Sequence, residues 1–477
     1  MRLALLAALM LLPAAVSAQA RSLTAADSSL VGRILLAEDR RDSTDVALAE
    51  GARHVDARVR TIALRARGRI RDPRFAARDS LPPVLAPPMW PEPAWRLRLR
   101  ALTAKSDCVV LRAALADSAW PVRLRATDLL TPACASDDVT ASTLRDWVDA
   151  LPADASRRRA GGVSWHAAAH AAVALARVRP AEALQRISRL ASHRQPQVRT
   201  YAARAAAVLS DTLRLRTLAR DPDDNVKEAA IDGLSKLTAH NDDDVYLTTL
   251  NGRGAQAVRA AAVALKGSPR ADARAAASSA YARWMALGNA SAHDVRAALL
   301  EAAGRPATDD HPPPVHTELL PHAVALALGA DVRLRVTMAP TSGGGSFVVR
   351  LRGDVAPLMA SRILALARAR YYDGLTWQRV EHDFVIQGGS PGASEYVGLP
   401  EFMRDELGTI PHVRGTVGMS TRGHDTGDAQ WFVNLRDNLR LGRDYTVFAE
   451  VVDGIDVVDG IMEGDVIASI DEVVPRQ

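Results

Sequence analysis

Two patterns of hydrophobic and polar positions divide the chain. From about residue 28 to 302, apolar residues recur at helical spacing and many of these positions are alanine, which predicts packed α-helices. After Gly329 the spacing changes to alternation, at 332–338 and again at 347–352, which predicts β-strands. The glycine-rich segment 342–346 leads into a strand and not into a helix, so it predicts a hairpin turn and not a phosphate-binding loop.

The helical part repeats one theme, and several copies lie about 30 to 40 residues apart, the span of a two-helix repeat. A polar residue or proline is followed by valine and a basic residue, and then by an alanine-rich helix. The copies lie at 57–64, 120–126, 196–202, 224–230, 257–261 and 293–298. The theme predicts that Asp or Pro starts each helix, that the valine packs inward, and that Arg and Asp of adjacent repeats form ion pairs. It resembles HEAT-type repeats, which stack into an α-solenoid.

Prolines mark the interruptions of this pattern. A long loop is predicted where the early copies are blurred by Pro82, Pro83, Pro87, Pro88, Pro91 and Pro93. The run Pro312-Pro313-Pro314 cannot continue a helix and predicts the domain boundary. The apolar segment 319–328 then predicts either a docking helix or the first contact with the next domain. We therefore predict a HEAT-like α-solenoid over 21–304, a linker over 305–329 and a second domain over 330–475.

The N-terminus has the form of a secretory signal peptide. Met1 and Arg2 supply a positive start, an apolar run continues to Val16, and residues 18–20 are suited to cleavage. Removal of residues 1–20 would release an exported protein, periplasmic or extracellular. No later apolar run reaches the length that a membrane-spanning helix needs.

The two cysteines, Cys108 and Cys134, lie near the edges of helical segments. In an exported protein such a pair favours a disulfide over two free thiols, here across a helical hairpin. A metal site is disfavoured because neither cysteine has a second one nearby. His166 and His170 have the spacing of two zinc ligands on a helix, but no third ligand is placed, so chance is the favoured interpretation.

The charge pattern argues against a nucleic-acid partner. The formal net charge is only +5 over 477 residues. Its arginines are interleaved with Asp and Glu and are not gathered on one stretch.

The segment 371–389 holds the densest candidate chemistry. Aromatic residues surround Arg379, and Trp377, Arg379, Phe384 and Ile386 follow the period of a strand that ends at a Gly-Gly break. An arginine among aromatic residues, with a glutamine nearby, can form a concave site that is part polar and part apolar. An exposed arginine over an aromatic core fits this stretch equally well, so the rest of the chain must decide.

Later motifs decide in favour of a site, because together with this segment they resemble the cyclophilin-type peptidyl-prolyl isomerases. The matching motifs are YYDGLTWQRV at 371–380, FVIQGG at 384–389, HVRGTVGMS at 412–420, QWFV at 430–433 and YTVF at 445–448. The resemblance covers about 332–474, including a helix opened by Ala356-Pro357. It implies a closed eight-stranded antiparallel β-barrel with two capping helices.

The resemblance also implies an activity and its residues. Such enzymes accelerate rotation about Xaa-Pro bonds and need no cofactor and no metal. Arg379 matches the catalytic arginine, and Gln387 matches the glutamine that orients it. The proline pocket and the neighbouring substrate contacts are implied at Phe384, Val385, Met419, Ser420, Thr421, Gln430, Phe432, Leu441 and Tyr445. Thr421 and Arg440 depart from the asparagine and the tryptophan that are frequent in the family, and losing the ring at Arg440 is expected to weaken binding of cyclosporin.

The sequence therefore predicts an exported peptidyl-prolyl isomerase that acts on proline-containing polypeptides. Its helical repeats are expected to bind a protein partner. The alternative is a non-catalytic scaffold that only binds proline-containing segments, but such a binder need not keep Arg379 together with Gln387. A hydrolase is disfavoured: segment 388–392 fits a nucleophile elbow in form, but Pro391 lacks the N–H that an oxyanion would need.

Overall fold

A computed structural model describes residues 23–71, 86–153 and 165–473. The predicted signal peptide, residues 1–20, lies outside these ranges, as do Pro82 and Pro83. Across the described ranges, no helix is both long enough and apolar enough to cross a membrane.

The first part of the chain, here called the helical region (23–304), is built from α-helices. They are α1 (Ala25–Arg40), α2 (Val46–Ala52), α3 (Ala57–Arg71), α4 (Ala94–Ala101), α5 (Cys108–Ala114), α6 (Trp120–Leu129), α7 (Asp138–Asp149), α8 (Trp165–Val178), α9 (Pro180–Ala191), α10 (Pro196–Val208), α11 (Thr212–Leu218), α12 (Asp224–Thr238), α13 (Asp243–Leu250), α14 (Ala255–Leu265), α15 (Ala271–Ala286) and α16 (His293–Ala302). From α8 to α16, each even-numbered helix packs against the next even-numbered helix, for example α8 on α10 and α10 on α12.

The starts of these helices follow the predicted chemistry. The side chains of Asp107, Asp137, Asp211 and Asp223 each accept a backbone N–H in the first turn of α5, α7, α11 and α12, and Pro196 opens α10. Such caps satisfy backbone donors that a helix leaves unpaired.

The valine of the repeated theme is buried in every copy, which confirms that it packs inward. These valines are Val59, Val122, Val198, Val226, Val258 and Val295.

The basic residue of the theme has a role that the sequence did not indicate. Arg199 donates to the backbone carbonyl of His193, at 2.8 Å, in the turn before its own helix, and Arg60 donates to that of His54 at 2.7 Å. Ion pairs between neighbouring repeats also occur, as predicted, for example Arg199 with Asp221 at 2.7 Å. Arg199 thus ties its helix both to the preceding turn and to its neighbour, and Arg60 ties its helix to the preceding turn.

The helical region has two hydrophobic cores. Buried residues from Leu99 to Ala302 form one. Helices α1–α3 instead share a core with α17 (Ala323–Ala327) and with Leu358 and Met403. Segment 319–328 therefore contains a helix that docks on α1–α3. Leu326 of the same helix belongs to the core of the following domain, so both predicted possibilities are found. Between the two cores, the proline-rich residues 86–93 have no helix or strand. Trp90 and Pro91 of this segment form hydrogen bonds with the following domain.

A disulfide joins Cys108, at the start of α5, to Cys134, 26 residues later. It crosses α5 and α6, which pack against each other. Closing a loop of this length restricts the unfolded chain and is worth about 2–4 kcal/mol.

We expect that replacing both cysteines with alanine lowers the free energy of unfolding of the helical region by about 2–4 kcal/mol. Thermal unfolding followed by circular dichroism, with and without a reductant, measures the effect. The reductant should lower the Tm of the wild type and leave that of the double variant unchanged. A wild-type Tm that does not respond, although mass spectrometry shows free thiols, would contradict this account.

The second part, here called the β domain (330–473), is built on one antiparallel sheet. Its strands are β1 (Arg333–Met338), β2 (Ser346–Leu351), β3 (Arg379–Val380), β4 (Val385–Gly388), β5 (Thr416–Met419), β6 (Trp431–Asn434), β7 (Val447–Asp453) and β8 (Ile467–Val473). Their order in the sheet is β3-β4-β6-β5-β7-β2-β1-β8. The segments in front of the two edge strands meet, because Trp377 N–H donates to Asp465 O at 2.9 Å and Ile467 N–H donates to Leu375 O at 2.8 Å. The sheet is therefore strongly curled.

Two helices accompany the sheet. The helix predicted after Ala356 is α18 (Pro357–Arg368), which contacts β7 and β8, and α19 (Ile455–Gly460) contacts β2. The predicted hairpin of β1 and β2 is confirmed by their antiparallel pairing.

The segment 377–386 differs from the single strand that its period indicated. It forms two short strands, β3 and β4, with a turn between them in which Phe384 N–H donates to Glu381 O at 2.7 Å. The period of two is interrupted by this turn, so Arg379 and Gln387 face each other across a strand pair.

Candidate active site

Three neighbouring strands place a row of predicted site residues side by side. Gln387 on β4 lies opposite Arg379 on β3 and opposite Phe432 on β6. Residues directly opposite each other in a sheet project to the same face. The row continues to Gly418 on β5, where a Cβ would come within 2.4 Å of the Phe432 ring. A side chain at Gly418 would therefore displace Phe432.

Arg379 has a guanidinium that is available to a ligand. Its side chain is 47% exposed and stands 4.0 Å from the carboxylate of Glu381, a separation longer than a hydrogen bond. The guanidinium carbon lies 5.8 Å from the centre of the Phe384 ring. An exposed guanidinium beside an aromatic ring keeps its five N–H donors free for an incoming carbonyl or amide.

A small apolar cluster, here called the apolar pocket, lies beside this row. Val385, Phe432 and Leu441 form a buried cluster separate from the main core, and the half-buried Phe384 and Tyr445 pack against it. The rings of Phe432 and Tyr445 meet edge to face, with centres 5.7 Å apart. All five residues were predicted to contact substrate, so the fold brings the predicted proline pocket together.

His412 packs against this pocket, a contact that was not predicted from the sequence. Its ring stacks on Phe432, with centres 5.7 Å apart. Its Nδ1 accepts from Asn434 Nδ2 at 3.1 Å, and its Nε2 donates to Tyr445 O at 3.0 Å. Burial lowers the pKa of His412, which favours the neutral ring that this pattern of one acceptor and one donor requires. His412 lies in one of the matched motifs, but nothing in the sequence indicated these partners.

A chain of three glutamines fixes the polar edge of the row. Gln430 Oε1 accepts from Gln378 Nε2 at 2.9 Å and from Gln387 Nε2 at 3.4 Å. Gln430 Nε2 in turn donates to the backbone carbonyls of Glu395 and Val397, at 3.1 and 3.3 Å. The orientation of the Gln430 amide is thereby set, and Gln378 joins the site although no role was predicted for it.

The remaining predicted contacts lie at the edge of β5. Ser420 and Thr421 are half-buried, and Ser420 N–H donates to Gln430 O at 2.9 Å. Met419 departs from the prediction, because its side chain is fully buried in the main core. Alternation along β5 turns Met419 away from the face that Gly418 shares with Phe432.

Arg440 occupies the rim where the family often has a tryptophan. Its guanidinium carbon lies 4.9 Å from the centre of the Phe384 ring, within the range of a cation–π contact. The pocket rim is therefore closed by a charge on a ring and not by a second ring.

The serine of the segment that imitates a nucleophile elbow is fully engaged. Ser390 Oγ donates to Val397 O at 2.8 Å and accepts from the N–H groups of Gly392 and Ser394, both at 3.2 Å. These bonds give Ser390 a structural role in its loop.

Comparisons with known proteins agree with this site. The sequence profile of the family described as cyclophilin type peptidyl-prolyl cis-trans isomerase/CLD matches residues 335–475. A peptidyl-prolyl cis-trans isomerase of Helicobacter pylori is 34% identical over 130 residues, which are 26% of this chain and 80% of that protein. Peptidyl-prolyl cis-trans isomerase B of Escherichia coli is 34% identical over 128 residues, 24% of this chain and 78% of that protein.

A solved structure of a cyclophilin-type peptidyl-prolyl cis-trans isomerase from Cryptosporidium parvum is similar to 31% of this chain and to 99% of its own, with 19% sequence identity and a TM-score of 0.29. The profile match runs from β1 to the end of the described sheet, so it includes Arg379, Gln387 and the apolar pocket. Through its β domain, the chain belongs to the cyclophilin-type peptidyl-prolyl cis-trans isomerases.

Proposed function

We propose that Arg379 and Gln387 carry out the isomerisation of Xaa-Pro bonds while Val385, Phe432 and Leu441 hold the proline ring. The observation that carries this proposal is the cross-strand row in which Gln387 lies between Arg379 and Phe432. In that row an exposed cation stands two strands away from Phe432, a residue of the apolar pocket. A proline ring in the pocket brings its own amide bond next to the guanidinium.

The chemistry needs no covalent step. Resonance in the amide imposes a barrier of about 18–20 kcal/mol on rotation. A donor that reaches the proline nitrogen favours the twisted amide, in which the nitrogen lone pair is no longer delocalised, and an enzyme accelerates rotation when it binds that state better than the planar one. Arg379 supplies such a donor and stays protonated. The fixed amide of Gln430 positions Gln387, which in turn orients the guanidinium and the substrate carbonyl.

Exchange spectroscopy by NMR on a short Xaa-Pro peptide tests this function, because it measures cis–trans exchange without a coupled reaction. We expect the protein to accelerate exchange. The alternative function, a scaffold that binds proline-containing segments without catalysis, predicts chemical-shift changes on binding and an unchanged exchange rate.

We also propose that the protein is exported. The N-terminal segment supports this, and the Cys108–Cys134 disulfide is of the kind that persists in oxidising compartments. Mass spectrometry of the protein isolated from its native cells should give a mature chain that begins at Arg21. An intact Met1 in the cytosolic fraction would contradict export.

For the finer architecture, we propose that the curled sheet closes into a barrel capped by α18 and α19. We further propose that α8–α16 form a HEAT-like α-solenoid that serves as a protein-binding arm. The solenoid is supported by the packing of each even-numbered helix against the next even-numbered helix. The hydrogen bonds between the segments in front of β3 and β8 support closure of the sheet.

The contact of Arg440 with Phe384 leads to a prediction for inhibitor binding. Replacing Arg440 with tryptophan should strengthen binding of cyclosporin about 10-fold, because an indole offers a cyclic peptide more apolar area than a hydrated guanidinium does. Isothermal titration calorimetry of the wild type and of Arg440→Trp measures the change. Arg443→Trp, two residues beyond the pocket wall Leu441, serves as a control, and an equal gain there would attribute the effect to surface hydrophobicity alone.

A further inference from the structure

A cavity lies between the helical region and the β domain, and the edge strand that carries Arg379 lines part of it. Its volume is about 770 Å³, and its lining includes Arg379 and Phe384 on one side and Arg125, His170 and Arg204 on the other. The last three belong to α6, α8 and α10. Arg379 therefore faces helices of this chain across a space, and not open solvent alone.

A second cavity, of about 980 Å³, adjoins the first. Loop 391–397 of the β domain lines one side, and residues of α12 and α14, among them Glu228 and Arg259, line the other. Gln378 and Arg204 line both cavities. Because they share these lining residues, the two cavities are together called the groove, and Arg379, which follows Gln378, lines its first part.

The walls of this groove are fixed to each other by contacts between the helical region and the β domain. Tyr201 Oη donates to Glu463 Oε2 at 3.0 Å, and Asn225 Nδ2 donates to Gly392 O at 3.1 Å. The guanidinium of Arg259 lies 4.1 Å from the centre of a β-domain ring, that of Tyr396. Such contacts hold the groove open at a set width.

The helical walls of the groove carry donors that have no partner among the described residues. Arg125 in the first cavity and Arg253 in the second are exposed. Neither makes a hydrogen bond or an ion pair with any residue in the described part of the chain. A guanidinium offers five N–H donors and no acceptor, so these two side chains suit the carbonyl oxygens of a polypeptide backbone, which every sequence presents.

We propose that the groove binds the substrate chain on both sides of its proline, so that the protein partner of the helical region is the substrate itself. This inference rests on the proposed function of Arg379. In this proposal, a chain with its proline in the apolar pocket continues past Phe384 into the spaces beside Gln378. Each cavity has a volume in the upper part of the range of small-ligand pockets, about 300–1,000 Å³, which is room for a few extended residues at about 3.3–3.6 Å each.

The class of substrate follows from the shape and the charge of the groove. Fixed walls admit an unfolded or extended segment and exclude a compact domain from Arg379. The walls carry both signs, with Glu228 and Glu463 beside Arg204 and Arg259, so selection by net charge of the segment is not expected. The substrates are non-native chains in which the residues around the proline are still extended.

A peptide length series tests the proposal. One Xaa-Pro core is placed at the centre of peptides of about 4, 8 and 16 residues. The shortest peptide is too short to extend through one cavity on each side of the proline, and the longest is long enough to do so. NMR exchange gives kcat/KM for each. We expect kcat/KM to rise about 5- to 10-fold from the shortest to the longest peptide, because contacts away from the reacting bond contribute to transition-state binding.

The double variant Arg125→Ala, Arg253→Ala should lose most of this rise, and Arg67→Ala is its matched control. Arg67 is an exposed arginine of α3 that lines neither cavity, so Arg67→Ala should retain the full rise. A wild-type kcat/KM that does not depend on length, or an equal rise in the double variant, would overturn the proposal. Failure of the proposed function gives a different result: the shortest peptide would not be accelerated, or Arg379→Ala would have no effect.

A second measurement does not depend on the variants. A photo-reactive residue is placed about 6 residues from the proline of the longest peptide, a distance of roughly 20 Å along an extended chain. Labelling should reach residues of α6, α10, α12 or α14. Labelling confined to the β domain would contradict the groove.

Discussion

Replacing Arg379 with alanine is expected to lower kcat/KM for a short Xaa-Pro peptide by about 10²–10³-fold, the usual cost of removing one donor that acts in the transition state. The loss should appear mainly in kcat, because the apolar pocket of Phe432 and Leu441 remains to bind the ground state. The fold should tolerate the change, since the Arg379 side chain is 47% exposed and its contacts are long, 4.0 Å to the Glu381 carboxylate and 5.8 Å to the centre of the Phe384 ring.

Two further variants separate the fork geometry from the charge. Arg379→Lys keeps the charge and loses the planar set of donors, so we expect it to recover only part of the activity. Arg443→Ala removes a neighbouring exposed arginine and should keep kcat/KM within about twofold of the wild type, as surface changes usually do. If Arg379→Ala resembled Arg443→Ala, the twisted amide would have to be stabilised by other groups.

The second large effect concerns stability. Arg96 of α4 is completely buried, and it donates to His382 O at 2.9 Å, to Leu435 O at 2.7 Å and to Asp459 Oδ1 at 2.7 Å. Arg96→Met should lower the free energy of unfolding by about 3–5 kcal/mol, since it breaks a buried ion pair. It removes this donor from His382 O and leaves Leu435 O and Asp459 Oδ1 with Arg414 as their donor. Denaturant unfolding followed by tryptophan fluorescence measures this loss.

The next arginine on α4 provides the control. Arg98 pairs with Asp117 at 2.7 Å, but its side chain is 47% exposed, so Arg98→Met should cost no more than about 1 kcal/mol. Equal costs at the two positions would mean that Arg414, which also binds Asp459, compensates for Arg96. Because His382 lies two residues before Phe384, Arg96→Met should also reduce activity in the part of the protein that stays folded.

The sequence was most informative for features that depend on a single helix or strand. The change from helical to strand spacing located the two parts of the chain, and the buried valines of the repeated theme show that its inward face was identified correctly. The site residues could be predicted because the family motifs keep them in a fixed order. Met419 was the exception: it was predicted to contact substrate, but its neighbour Gly418 lies on the face of the pocket and Met419 points away from it.

Contacts between distant segments could not be predicted in the same way. His412 meets Tyr445, and Gln378 meets Gln430, across more than thirty residues, and neither pair has a local signal. The separate core of α1–α3 was also missed, because an alanine-rich amphipathic helix carries no mark of the partner that will cover it. Likewise, nothing in the pattern of the helices indicated that they face Arg379.

The divided core of the helical region has a consequence for the order in which the protein folds. Helices α1–α3 leave the ribosome first, but their core is completed by α17, Leu358 and Met403, which are made more than 250 residues later. Contacts of such separation form slowly, because the intervening chain must first be brought together. Helices α5–α16 can condense earlier, since their core lies within their own segment. The core of helices α1–α3 can therefore form only after the β domain has been synthesised. The folding of this isomerase depends on a contact between its N-terminal helices and its β domain.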